Sequence, residues 1–262
     1  MEFPVAVALA APVTVVPSGP GWWYEPKFDG HRMVMQVAAE TVVLYARSGR
    51  VVTPVWMDLA LAAHHGLREG TVLDGEAVVW REGLLDFSAV QARAASTVVR
   101  ARALAAALPA SYAAFDLLAH PDLGDVRGRP YTERRRLLLE LLEDVGPPIQ
   151  AVPATDDREV ALVWYEVLQE QAIEGIVAKR GLSPYRAVRG SGRRSGTPRR
   201  WTRSWSATPA LRPGLVTSSW PCPTGGSPGL NGWRRVWPGR SGRPCAEARP
   251  AGPRGRRTES RT

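Results

Sequence analysis

The chain has 262 residues, 34 Lys+Arg against 25 Asp+Glu for a net charge of +9, and two cysteines. That length is ample for a hydrophobic core; Cys222 and Cys245 sit near the end and cannot supply a disulfide framework, and no run of eighteen apolar residues marks a membrane span. Met1–Pro20 has Glu2 and several prolines where an export signal needs a basic start and an unbroken apolar run, so a cytoplasmic protein without membrane attachment or structural metal is expected.

In chain order, Met33–Val37 and Thr41–Arg47 are β-prone runs joined by Ala38-Ala39-Glu40, which predicts a hairpin. His64 and His65, on the Leu59–Leu67 segment, have no partners at metal-ligand spacing and read as exposed polar residues. Thr71–Trp80 reads as a pair of strands interrupted by Asp74-Gly75-Glu76. Ser88–Leu108, rich in Ala and Arg, reads as one helix, and Tyr112–Leu118 as a strand. Pro130 and Thr132 ahead and Gly146 behind bound a helix over Glu133–Val145. Its Arg134-Arg135-Arg136 reads as a solvated start, with a DNA-backbone contact as the other reading. Thr155 is expected to cap a further helix through Leu162, Val163, Tyr165 and Leu168, with Asp156 and Asp157 suiting its positive end. Ile173–Lys179 is the last strand. Strands and helices mix without a βαβ rhythm, which predicts an α+β domain over residues 1–187.

Beyond Ala187 the material changes. Residues 1–187 carry 18 Lys+Arg and 23 Asp+Glu, a net charge of −5; residues 188–262 carry 16 Arg and 2 Glu, a net charge of +14. Only six of those last 75 residues are Val or Leu and 22 are Gly or Pro, too few aliphatic residues for a core. Yet five of the ten tryptophans lie there, Trp201, Trp205, Trp220, Trp233 and Trp237. An excess of Arg, Gly, Pro, Ser and Trp is what GC-rich DNA yields when read out of frame. Shifted readings of Ser195–Pro209 and Val216–Pro228 permit alternating β-type sequence with an Asp-Gly turn. The tail is therefore expected to be a disordered, out-of-frame segment; the other reading is a genuine basic tail that binds nucleic acid by charge.

The lysines carry the sharpest signal. There are two, Lys27 and Lys179, against 32 arginines. A lysine kept in so arginine-rich a chain points to amine chemistry, since Lys can lose its proton and attack an electrophile whereas Arg stays charged. Lys27 stands in Tyr24-Glu25-Pro26-Lys27-Phe28-Asp29-Gly30-His31-Arg32. In this K-x-D-G-x-R arrangement Gly30 permits a tight turn and Arg32 can hold phosphate oxygens.

The pattern resembles the nucleotidyltransferase motif of ATP-dependent DNA ligases, RNA ligases and mRNA capping enzymes. Further elements follow in that family's order: Arg47-Ser48-Gly49 resembles its R-x-G element, Leu73-Asp74-Gly75-Glu76 its D-G-E element, Tyr112–Leu118 its aromatic strand and Glu174-Gly175-Ile176-Val177-Ala178-Lys179 its E-G-x-V-x-K element. Asp86-Phe87-Ser88 with Gln91 and Arg93 resembles the DNA-ligase branch. The resemblance implies a nucleotidyltransferase, ATP-grasp-like adenylation domain of antiparallel sheets flanked by helices, with an oligonucleotide-binding barrel expected where the basic tail stands. It implies ATP and Mg2+ (or Mn2+) as cofactors, nicked or broken double-stranded DNA as partner, and a monomer. By the same resemblance Lys27 is the catalytic nucleophile. Glu25, Arg32, Arg47, Phe115 and Lys179 bind the nucleotide, Phe115 by stacking on adenine and the cations by holding phosphates. Glu76 and Glu174 reach ribose or metal, and Asp29, Gly30 and Asp74 support the site. An RNA ligase or capping-type enzyme, or a non-catalytic nucleic-acid-binding remnant, are the alternatives.

Overall fold

The computed structural model describes residues 1–11 and 13–187. The basic tail, and with it the frame-shift and barrel expectations, lies outside the described residues. Two strands, β1 (Trp22–Lys27) and β9 (Gly175–Arg180), form an antiparallel ribbon. The main sheet runs β3 (Val42–Ala46), β2 (His31–Val37), β4 (Val72–Arg81), β6 (Ala110–His120) and β7 (Gly124–Asp125). The short β5 (Leu84–Leu85) sits on β4 and β8 (Ile149–Ala151) on β6. All pairs are antiparallel except β6 with β8. The helices are α1 (Met57–Gly66), α2 (Phe87–Ala94), α3 (Val98–Ala107), α4 (Tyr131–Leu142) and α5 (Arg158–Leu168). The α+β expectation and the β2–β3 hairpin hold. Among the described residues no helix is long and apolar enough to cross a membrane.

Alternation along the strands sorts the core onto two faces. Met33, Met35, Leu73, Ala77, Tyr112, Ala114 and Leu117 point into the large cluster with Trp56, Leu59, Leu137 and Leu138. The opposite face splits in two. One end buries Phe28, Val78, Ala113, Val152, Leu168 and Ile173. The other buries Val34, Val72 and Leu118 beneath Val5 and Val7 of the N-terminal segment. Arg32, Asp74, Glu76 and Asp116 share that second face, in the gap between its apolar ends.

Four expectations are corrected. Thr71–Trp80 is not an interrupted pair: β4 runs unbroken through Asp74-Gly75-Glu76. The glycine is there for space, since a Cβ at Gly75 would meet the Tyr112 ring at 2.6 Å and the Ala113 carbonyl at 2.7 Å. Ser88–Leu108 is two helices, each with its own cap: the Asp86 carboxylate accepts from the Ala89 N–H at 2.9 Å and the Thr97 hydroxyl from the Arg100 N–H at 3.4 Å. The cap of α5 is Asp157, accepting from the Glu159 and Val160 N–H groups; Thr155 is drawn off to pair its backbone with Tyr24. Finally, Arg134 and Arg135 are buried, not solvated. Of that triplet only Arg136 meets the description, in an exposed pair with Glu140.

Candidate active site

Lys27 is the last residue of β1, where the ribbon ends. Across the ribbon it stands opposite Gly175, and the Glu174 N–H donates to the Lys27 carbonyl at 3.1 Å. This register brings the Glu174 carboxylate onto the Lys27 ammonium, with both side chains nearly half exposed. The ribbon thus fixes the backbone and leaves the amine open to a ligand.

After Lys27 the chain turns through Phe28-Asp29-Gly30 into β2. Gly30 has no left-handed torsion, so the expected tight-turn role is replaced by another. A Cβ there would lie 2.3 Å from the Ala77 carbonyl and 2.9 Å from the Glu76 Cγ. Close approach, rather than a turn, demands glycine, and it lets the Gly30 N–H hydrogen-bond to the Glu76 carboxylate. Burial pushes the Glu76 carboxyl up to about 8; Arg32 opposes the shift, and Asp74 and Asp29 add to it. Asp29 is pushed up to about 6, first by burial and then by the charge of Glu174, with which it shares a hydrogen bond, while Lys27 pulls the other way. Asp29 and Glu174 thus crowd one amine, and the buried Glu76 carboxyl lies behind Asp29.

Arg32 and Glu76 face each other across β2 and β4. The Arg32 guanidinium binds Asp74 bidentately, Nε to Oδ1 at 3.1 Å and Nη2 to Oδ2 at 2.7 Å. Asp74 stands opposite Asp116 of β6. Like charges directly opposed are unfavourable, and here each has its own arginine: Arg32 on Asp74, and Arg134 of α4 on Asp116 at 2.7 and 3.0 Å.

The β4–β6 register also explains Phe115. Asp74 pairs with Asp116 but Gly75 pairs with Ala114, so Phe115 is the extra residue of a β-bulge. The bulge presents its ring to two cations, with Arg32 at 5.0 Å and Lys179 at 5.3 Å from the centroid. Lys179 also donates to the Phe115 carbonyl at 2.8 Å and to the Glu25 carboxylate at 2.8 Å, and lies 3.8 Å from Asp116.

Ten of the eleven sequence-derived site residues are therefore joined by these contacts. The eleventh, Arg47, has an exposed side chain; its N–H donates to the Arg32 carbonyl at 3.2 Å, which holds it beside that strand. Glu25 is only 2 % exposed. Its carboxylate is taken by Lys179 and by the Tyr131 hydroxyl, which donates at 2.6 Å, so it is not itself open at the surface. The residues that sequence reasoning passes over are Tyr131, Arg134 and Tyr185. The Tyr185 hydroxyl donates to the Asp74 carboxylate at 2.6 Å. No local motif singles them out; each is recognisable only as a group supporting a buried carboxylate.

A family model for the ATP dependent DNA ligase domain matches residues 8–195. The chain belongs to the ATP-dependent DNA ligase family. DNA ligase C2 of Mycolicibacterium smegmatis is 38% identical over 176 residues, 67% of this chain and 49% of that protein. DNA ligase C of Mycobacterium tuberculosis is 37% identical over 180 residues, 67% of this chain and 49% of that protein. Among solved structures, the ligase domain of DNA ligase D from M. tuberculosis aligns with a TM-score of 0.49 at 30% identity, covering 63% of this chain and 50% of that one. The chain spans about half the length of the curated relatives it matches.

Proposed function

We propose that this ligase-family chain carries out nucleotidyl transfer from ATP: Lys27 forms a covalent lysine–AMP, the AMP passes to the 5′-phosphate of a DNA nick, and a 3′-hydroxyl then attacks that phosphate and displaces AMP. The observation that carries the proposal is the placing of Lys27. Its amine is open at the ribbon end, in contact with one carboxylate, and the cations Arg32 and Lys179 flank a bulged aromatic ring in the same site.

In the first step the Lys27 Nζ attacks the α-phosphorus, a P–N bond forms, and the bond to pyrophosphate breaks. The amine must shed its protons to attack and to remain a phosphoramidate; the Glu174 carboxylate already touching Nζ is placed to receive one. Arg32, Arg47 and Lys179 offset the phosphate charge. Phe115 offers its face to adenine, which exchanges a cation contact for stacking.

Asp29 and Glu174 lie within hydrogen-bonding reach of each other, beside the Lys27 amine. Adjacent hard oxygen donors of this kind suit Mg2+ or Mn2+, which takes one or two carboxylates and completes its shell with phosphate oxygens and water. Bound there, the ion supplies charge neutralisation at the α-phosphate. A nicked or broken duplex as substrate, action as a monomer and a cytoplasmic location complete this reading.

The test is to incubate the protein with Mg2+ and ATP labelled on the α-phosphate and to follow label that survives denaturation. Stoichiometric labelling lost in Lys27→Ala supports the reading. No label, or label that persists in Lys27→Ala, overturns it.

A further inference from the structure

Tyr185 lies where the chain leaves the domain, and none of the nucleotidyltransferase motifs contains it. Its backbone N–H donates to the Arg127 carbonyl at 2.8 Å, and its ring lies 5.9 Å from the Arg134 guanidinium and packs against the cluster of Val5, Val7, Val34 and Leu118. Its hydroxyl makes two bonds. It accepts from the Ala8 N–H at 2.9 Å, and it donates to Asp74 Oδ2 at 2.6 Å.

Asp74 is the same carboxylate that holds Arg32. Its side chain is 0 % exposed. Oδ2 accepts from both Tyr185 and Arg32 Nη2, and Oδ1 from Arg32 Nε. A buried carboxylate is oriented by its packing and by the donors that satisfy it. Arg32 alone would leave the pair free to swing together, because a bidentate fork fixes the two groups relative to each other and not to the sheet. Tyr185 is the donor that anchors it, and the Ala8 N–H in turn fixes the hydroxyl so that its proton points at Oδ2. The guanidinium is then set against the Phe115 ring, with Nη1 as the nitrogen that Asp74 does not engage.

We infer that Tyr185 is a positioning residue for nucleotide binding: acting through Asp74, it aims Arg32 at the phosphates of ATP and ties that aim to the segment by which the chain leaves the domain. This rests on the ATP-dependent reading above. The burial that keeps the Tyr185 hydroxyl protonated far above the ordinary tyrosine range makes it a donor at every working pH. A ring that merely filled space would not need the oxygen; Tyr185→Phe removes the oxygen and keeps the ring.

The experiment compares wild type, Tyr185→Phe, Asp74→Asn and the double variant in the full chain. Three quantities are read: equilibrium Kd for ATP from tryptophan fluorescence, the ATP dependence of single-turnover Lys27 labelling, and Tm. Tyr185→Phe is expected to raise both the Kd and the half-saturating ATP concentration about 10-fold, the lower end of the weight of a lost hydrogen bond to a charged group. The limiting labelling rate should change less than about twofold. In the Asp74→Asn background the same change should add almost nothing, because the two residues act in one line. An unchanged Kd, an effect that is fully additive with Asp74→Asn, or a Tm loss above about 10 °C with nucleotide affinity intact overturns the positioning role. A wild type that binds ATP but takes no label defeats the catalytic reading alone, and the Kd comparison still decides this one. A wild type with no measurable ATP affinity overturns both.

Discussion

Two glycines that look alike in the motifs differ in what surrounds them. A methyl at Gly30 would fall 2.3 Å from the Ala77 carbonyl, whereas at Gly175 the nearest atom is a Tyr165 ring carbon at 3.9 Å. Gly30→Ala must push β2 from β4 or displace Glu76, and is expected to cost about 2–4 kcal/mol in urea unfolding. Gly175→Ala should cost less than about 1 kcal/mol by the same measurement. Glu76 illustrates a different compromise. Its carboxyl titrates at about 8 in the folded protein against an ordinary 4.5, so the native state holds a proton that the unfolded chain has released over that interval. The stability linked to this proton is complete below 4.5 and is lost as pH rises through about 8. Glu76→Gln removes the titration. Thermal scans should show little change at pH 5 and a gain on the order of 5 °C at pH 9, while the same variant labels poorly with ATP if Glu76 serves ribose or metal. A variant no more stable at pH 9 than wild type would mean that Glu76 carries its charge in the folded protein without penalty.

At the scale of elements, α4 is where sequence and structure part most sharply. Three consecutive arginines at a helix start look solvated, and one is. Arg134 instead penetrates to Asp116, donates to the Arg129 and Ser183 carbonyls, and so ties α4 to β6 and to the chain beyond β9. Arg134→Met leaves Asp116 buried and without its main counter-charge, which is expected to cost about 3–5 kcal/mol of unfolding free energy. Arg136→Met breaks only an exposed pair with Glu140 and should cost about 0–0.5 kcal/mol. Comparable losses for the two would place Arg134 in water. The contrast shows what the sequence carries and what it does not. Lys27, Glu76, Glu174 and Lys179 are legible because their chemistry imposes residue type and spacing on a short stretch of chain. The β2–β3 hairpin is legible because two β-prone runs lie only a few residues apart in the chain. The strand holding Lys27 is not, because Trp22-Trp23-Tyr24-Glu25-Pro26 shows no alternation and its partner lies about 150 residues away. The bulge at Phe115 is not, because a register shift exists only between strands. Tyr131, Arg134 and Tyr185 share that obscurity: each is defined by a carboxylate 18 to 111 residues distant.

Over the whole molecule, the described domain and the tail pull in opposite electrostatic directions. Residues 1–187 carry a net charge of −5 and residues 188–262 a net charge of +14. Under the proposed reading the chain must hold a polyanion, and a net-acidic domain repels one except where cations cluster locally. Among the described residues many arginines are already neutralised: Arg32, Arg68, Arg93, Arg127, Arg129, Arg134 and Arg136 each pair with an acid. The sixteen arginines of the tail are therefore the main source of attraction available to the chain, whatever the origin of that segment. The full chain should bind a nicked duplex with an affinity that falls steeply with salt, the logarithm of the binding constant dropping with a slope of magnitude about 5 or more against the logarithm of salt concentration. Residues 1–187 alone should show a slope near about 1–2 while keeping ATP affinity, because the Lys27, Arg32 and Lys179 contacts all lie within them. Fluorescence anisotropy over a salt series measures both slopes. Equal slopes would mean that the domain grips DNA through a local cationic surface and that the tail adds charge without function. Loss of ATP affinity on truncation would mean that the segment after Tyr185 is needed to hold the Asp74–Arg32 pair in place.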